Sequence, residues 1–190
     1  HHRVKNHLNV VQSFLNLQEQ EVDAACRPAL AEARHRIRAV AAVHDLLAHP
    51  ETMVPFGCQG FLESLVQELA TAYDAAGLRV HVASSLEALH PRQMVPLGLI
   101  VTELVTNALR HGLSGREDGE LSVVLEQQEG VRRLEVRDNG PGLPADFDPA
   151  QAQSLGLTLV FGLVEQLKGR AWCESGKGLA WKIEFPDMES

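Results

Sequence analysis

The chain has 190 residues, 45% of them hydrophobic, and a formal net charge of −8. That is enough for one domain with a proper core plus a smaller element, and the acidic balance argues against a nucleic-acid partner. No stretch approaches the roughly 20 consecutive apolar residues of a membrane span, and the start, HHRVKNHLNV, lacks the apolar run of a signal peptide, so a cytoplasmic chain without membrane contact is expected. Cys26, Cys58 and Cys173 lie far apart and suggest neither a disulfide framework nor a zinc site.

In chain order, Val4, Leu8, Val11 and Leu15 form a 4-3-4 stripe, widened by Val10, Phe14 and Leu17, which predicts an amphipathic helix over residues 1–20. Residues 21–28 interrupt it, and Ala33, Ile37, Val40, His44 and Leu47 resume the period. The two arms read as a helical hairpin, 1–52, whose apolar stripe needs cover from a partner such as a second copy. Pro and Gly punctuate residues 49–57, the linker into a second domain, 53–190.

In that domain the patterns predict helices at 61–76, 93–110 and 155–167. Strands are predicted at 78–83, 120–126, 132–137, 170–174 and 180–185. The fold class is therefore α+β, a hairpin followed by a sandwich with helices on one face of a sheet.

Three groups carry chemistry. Glu103, Asn107 and Arg110 stand four and three residues apart, on one face of the second predicted helix. An Asn oxygen and a carboxylate are hard ligands suited to Mg²⁺. Asp138-Asn139-Gly140-Pro141-Gly142 follows a strand, where a carboxylate can accept from an amine and glycines allow close backbone approach. Ser154-Leu155-Gly156-Leu157 opens a helix, whose free N–H groups and dipole suit a phosphate. Singly, each also fits ordinary turn or surface chemistry.

Together, E-x-x-x-N, D-x-G-x-G and a helix-start Gly-Leu in this order resemble the N, G1 and G2 boxes of the GHKL ATPase superfamily. The resemblance spans about residues 57–186 and implies a Bergerat ATP fold with ATP and Mg²⁺ as cofactors. It implies that Asp138 bonds the adenine amine, Asn107 coordinates Mg²⁺ and Glu103 assists at the phosphate end. It also implies that Gly140, Gly142 and Gly156 shape the pocket, with residues 143–155 as a lid. Arg110 and His111 beside Asn107, and Leu155 and Leu157 beside Gly156, complete the implied nucleotide-binding set. Where the family usually has Gly-Thr before its last strand, this chain has Gly178-Leu179.

His1-His2-Arg3-Val4-Lys5-Asn6 is similar to the H-R-x-K-N phosphoacceptor box of the HisKA_2 histidine kinases. The HWE kinases fit less well, because Thr102 precedes Glu103 and the strand before Asp138 reads Leu134-Glu135-Val136-Arg137. The resemblance implies a homodimeric sensor histidine kinase that phosphorylates His2 and passes the group to the receiver domain of a response regulator. Asn6, one turn on, is placed to orient a water for dephosphorylation. Arg3 stands where many histidine kinases carry an acid beside the phosphoacceptor, so the identity of the base stays open. Two alternatives also stay open: a phosphotransfer adaptor with a degenerate ATP domain, and an anti-sigma-type GHKL serine kinase.

Overall fold

The computed structural model divides into two compact units, residues 1–54 and 55–190. It describes residues 57–187 apart from 74, 76, 145–146 and 148–153, together with positions 10–11, 13–15, 17–18, 22–23, 26–27, 30, 33–34, 37 and 41. In the first unit Val10, Val11, Ser13, Phe14, Leu15, Leu17 and Gln18 are helical, the helix is broken at Val22 and Asp23, and helical backbone resumes at Arg27. The arm carries its apolar side chains outward: Val10, Phe14 and Leu17 are each more than half exposed. Of the rest of the stripe, Val11 is exposed and Leu15, Ala33 and Ile37 are half-buried, and its other positions lie outside the described residues.

The second unit runs α1 (Gly57–Ala72), β1 (Arg79–Ser84), α2 (Pro91–Asn107), a π-helical turn (Ala108–Gly112), β2 (Glu120–Gln128), β3 (Val131–Asp138), α3 (Leu155–Gln166), β4 (Arg170–Gly176) and β5 (Gly178–Pro186). The five strands order as β1-β2-β3-β5-β4. β1 joins β2 in parallel and the other pairings are antiparallel. Strict alternation drives this: Leu121, Val123 and Leu125 of β2 and Leu134 and Val136 of β3 are buried, with exposed or half-buried residues between them.

The buried sheet face meets Phe61, Leu62, Leu65 and Val66 of α1 and Leu97, Ile100, Val101 and Leu104 of α2. Each such side chain contributes about 1.5–3 kcal/mol relative to exposure. α2 is the central helix, packed against both α1 and α3. Among the described residues no helix is long and apolar enough to cross a membrane.

The elements match the predicted order, with shifted ends. α1 begins at Gly57 rather than near 61, because the Gly57 backbone, at φ +55°, fits under the loop after β1: a Cβ there would stand 2.6 Å from the Glu87 carbonyl oxygen. Cys58 donates its N–H to that carbonyl at 3.3 Å. Burial pushes the Cys58 thiol up to about 11, so this cysteine is a packing residue rather than a nucleophile.

At the end of the domain away from Asp138, Gln93 is fully buried and donates to the Pro186 carbonyl at 2.9 Å. Arg132 donates to Gln93 and pairs with Asp187 at 2.6 Å. This network ties the start of α2 to the end of β5.

Candidate functional site

Asp138 is the last residue of β3, and the strand's alternation turns its side chain to the helix-covered face beside Val136 and Leu134. It is 5% exposed. Its Oδ1 accepts from the Gly140 N–H at 2.8 Å, and the Leu179 backbone amide lies beside the carboxylate. Burial pushes its pKa up; those two amides and the Arg116 charge act weakly in the other direction.

The carboxylate sits among backbone rather than side chains. A Cβ on Gly112 would lie 2.8 Å from Asp138 Oδ1, and one on Gly140 would lie 2.7 Å from it and 2.5 Å from the Gly112 carbonyl oxygen. Gly178, at φ +104°, passes so close that a Cβ would meet the Asp138 carbonyl oxygen at 2.0 Å. These glycines are required first by how chain segments pack around the acid.

α2 starts at His90, whose Nδ1 accepts from the Arg92 N–H at 3.1 Å, with Pro91 in the first turn. At its other end Glu103 is 4% exposed, with Thr102 and Thr106 buried beside it. Asn107, one turn on, is half-buried and closes the regular helix. The next five residues form the π-helical turn, closed by Leu113 donating to the Ala108 carbonyl at 2.8 Å. A π-turn spans one more residue than an α-turn, so the four-and-three spacing that places Arg110 with Glu103 and Asn107 does not extend past Asn107.

Arg110 is half-buried in a cleft shared with Tyr73, Leu78, Leu113 and Arg116, and His111 is exposed. Glu103 and Arg110 both engage neighbouring groups. The π-turn ends with Gly112 against Asp138, so it joins the helix of the first group to the acid of the second.

α3 is capped by Ser154, whose Oγ accepts from the Leu157 N–H at 3.3 Å, while Thr158 donates to the Ser154 carbonyl at 3.0 Å. The amides of Leu155 and Gly156 have no partner inside the helix, as its geometry dictates. Gly156 and Leu157 are buried, and Leu155 is 69% exposed. His2 and Asn6 lie outside the described residues, as does most of the expected lid.

Sequence reasoning missed Asn139, Gly112 and Ser175. The Asn139 side chain accepts from the Glu120 N–H at 2.9 Å and donates to the Asp118 carbonyl at 2.8 Å, stitching the loop after Asp138 to the start of β2. Gly112 lies outside the three spaced motifs, just past the predicted end of the helix at 110. Ser175, which contacts Leu143, belongs to a different hairpin and has no local signal.

Residues 1–73 match a family described as histidine kinase (HisKA_2), and residues 93–188 match the histidine kinase-, DNA gyrase B- and HSP90-like ATPase family (HATPase_c). The sensor histidine kinase PdtaS of Mycobacterium tuberculosis is 33% identical over 172 residues, 86% of this chain. The chain spans only 33% of that relative's length. The anti-sigma F factor of Geobacillus stearothermophilus is 33% identical over 91 residues, 47% of this chain and 62% of that protein. The solved histidine kinase domain of the Erythrobacter litoralis EL346 blue-light activated kinase shares the fold, with TM-score 0.71 over 95% of this chain and 94% of that one at 19% identity. With a HisKA_2 segment ahead of an ATP-binding domain of the GHKL kind, the chain belongs to the histidine kinase family.

Proposed function

We propose that this chain is the catalytic core of a sensor histidine kinase, in which the ATP-binding domain, 53–190, transfers the γ-phosphate of ATP to His2 of the hairpin, 1–52. The observation that carries the reading is Asp138: a buried carboxylate held by neutral backbone N–H groups, in a domain that matches the ATPase family. An ionised carboxylate is acceptor-only, which suits an exocyclic amine such as that of adenine. Asn107 follows buried Glu103 by one helical turn, and Mg²⁺ needs only one or two protein oxygens when phosphates and water supply the rest. The donor set therefore fits ATP with Mg²⁺, with Gly156 and the α3 start toward the phosphates.

Bound Mg²⁺ would offset charge on the phosphates. The protein's own residues do the rest by positioning. An imidazole with pKa near 6.5 is largely neutral at pH 7, so His2 can attack without much activation. Arg3 and Lys5 would draw the phosphate toward it, and Glu103 would assist at the phosphate end.

The reading extends to a cytoplasmic homodimer that passes phosphate to an aspartate of a response regulator receiver domain. The outward Val10, Phe14 and Leu17 support the pairing of two hairpins into a four-helix bundle.

The likeness to anti-sigma F factor favours a second reading, a GHKL serine kinase, but the histidine kinase match over residues 1–73 favours the first. The adaptor reading rests on Leu179, whose backbone amide nonetheless lies beside the Asp138 carboxylate. Incubation with γ-labelled ATP and Mg²⁺ separates the two kinases: phosphohistidine is labile to acid and stable to base, and phosphoserine behaves the opposite way.

A further inference from the structure

A single row of residues crosses the sheet at the Asp138 end. The register pairs Asp138 of β3 with Leu179 of β5, and Leu179 with Ser175 of β4. Leu179 places its backbone amide beside the acid. Ser175, one strand further, turns its hydroxyl to Leu143: Oγ accepts from the Leu143 N–H at 2.7 Å and donates to the Leu143 carbonyl at 3.4 Å.

Gly142 makes room for that contact. It adopts φ +74°, and a Cβ on it would stand 2.6 Å from Ser175 Oγ and 3.0 Å from the Gly178 carbonyl oxygen. The second glycine of D-x-G-x-G is thus explained by the β4–β5 turn beneath it. The loop that follows Asp138 is fastened at three places: Asn139 to β2, Gly140 to the acid itself, and Leu143 to Ser175. The third fastening alone comes from a side chain of the β4–β5 hairpin.

We propose that Ser175 is a positioning residue for the nucleotide site, holding Leu143 so that Gly140–Leu143 stays seated on the β4–β5 turn and the Gly140 N–H stays on the Asp138 carboxylate. This rests on the nucleotide-site reading above. A hydrogen bond of an exposed hydroxyl adds little to global stability, because water replaces it in the open state. Its loss therefore appears as local opening of the loop rather than as a lower melting temperature.

The test uses the 190-residue chain as wild type, Ser175→Ala and Ser175→Thr, with amide hydrogen exchange without nucleotide and calorimetric titration with ATP and Mg²⁺. Ser175→Ala should speed exchange at Leu143 and Gly140 and weaken nucleotide binding by about three- to tenfold. Its melting temperature should be unchanged, and Ser175→Thr, which keeps the hydroxyl, should restore both the protection and the affinity. Faster exchange at Leu143 with unchanged affinity would reduce Ser175 to a loop staple and overturn the proposal, as would failure of Ser175→Thr to restore binding. No nucleotide binding by the wild type would overturn the site reading and this proposal with it, whereas wild-type binding matched by Ser175→Ala overturns the proposal alone.

Discussion

Asp138 and Glu184 are both carboxylates on the central strands, 5% and 7% exposed, and their surroundings send their pKa values in opposite directions. Glu184 lies between Arg133 and Arg170, which face it from the two neighbouring strands in register. Its Oε1 accepts from Arg133 Nε at 3.0 Å and its Oε2 from Arg170 Nε at 2.7 Å, and these bonds hold it below the usual glutamate range. Arg170 also stacks over the Trp172 ring at 5.3 Å.

Asp138 has backbone amides instead of guanidinium groups, and burial raises it. The difference separates structure from site. Glu184 has both oxygens committed to fixed cations, so it locks strands together; Asp138 keeps acceptor capacity in a place made tight by glycines, where a ligand's N–H groups can complete it.

The largest expected effects come from exchanging each carboxylate for its amide. Asp138→Asn should weaken nucleotide binding by about 10- to 100-fold, the scale of a hydrogen bond to a charged group, while leaving thermal stability unchanged or higher. Glu184→Gln should do the reverse, lowering the melting temperature with nucleotide affinity intact. Calorimetric titration beside thermal melts reads both, and equal loss of affinity in the two variants would erase the distinction.

Gln93→Ala sharpens the structural side: it strips Arg132 and the Pro186 carbonyl of a buried partner, and denaturant titration should show a loss of about 1–3 kcal/mol without a change in affinity. Gly112→Ala sharpens the site side. Its Cβ must push the Asp138 carboxylate out of place, and a displaced rotamer corresponds to a loss of about two- to tenfold in nucleotide affinity.

The smallest effect is in pH dependence, with opposite signs. Asp138 binds its proton more tightly in the folded state than its usual 3.8, so its contribution to stability falls as pH rises from there through the raised folded value. Asp138→Asn should remove that fall. Glu184, held below its usual 4.5, contributes stability that is present above that value and lost as pH drops through the depressed one. Acid titrations of folding in Glu184→Gln should lack that loss.

The order of elements was readable because it rests on local periodicity: β2 and β3 alternate cleanly, and α2 and α3 carry continuous apolar faces. Asp138, Asn107 and Gly156 stand out as candidates because each sits in a short spaced motif. The π-turn was not, since one shifted backbone hydrogen bond leaves no trace in residue type and only its result, Gly112 against Asp138, explains it.

Ser175 was hidden for another reason. Its partner Leu143 is 32 residues away, and only the register of β3, β5 and β4 brings the two ends together. Gly57 looked like linker punctuation beside Pro55, yet its place in the structure is set by the Glu87 carbonyl above it.

Phosphate transfer from ATP to His2 is measured with γ-labelled ATP and Mg²⁺ on wild type, His2→Ala, His7→Ala and Asn107→Ala, with each protein's nucleotide binding followed alongside. Wild type and His7→Ala should carry an acid-labile, base-stable label. His2→Ala should carry none although ATP still binds, and Asn107→Ala none. A label that persists in His2→Ala, or one stable to acid, would rule out transfer to His2.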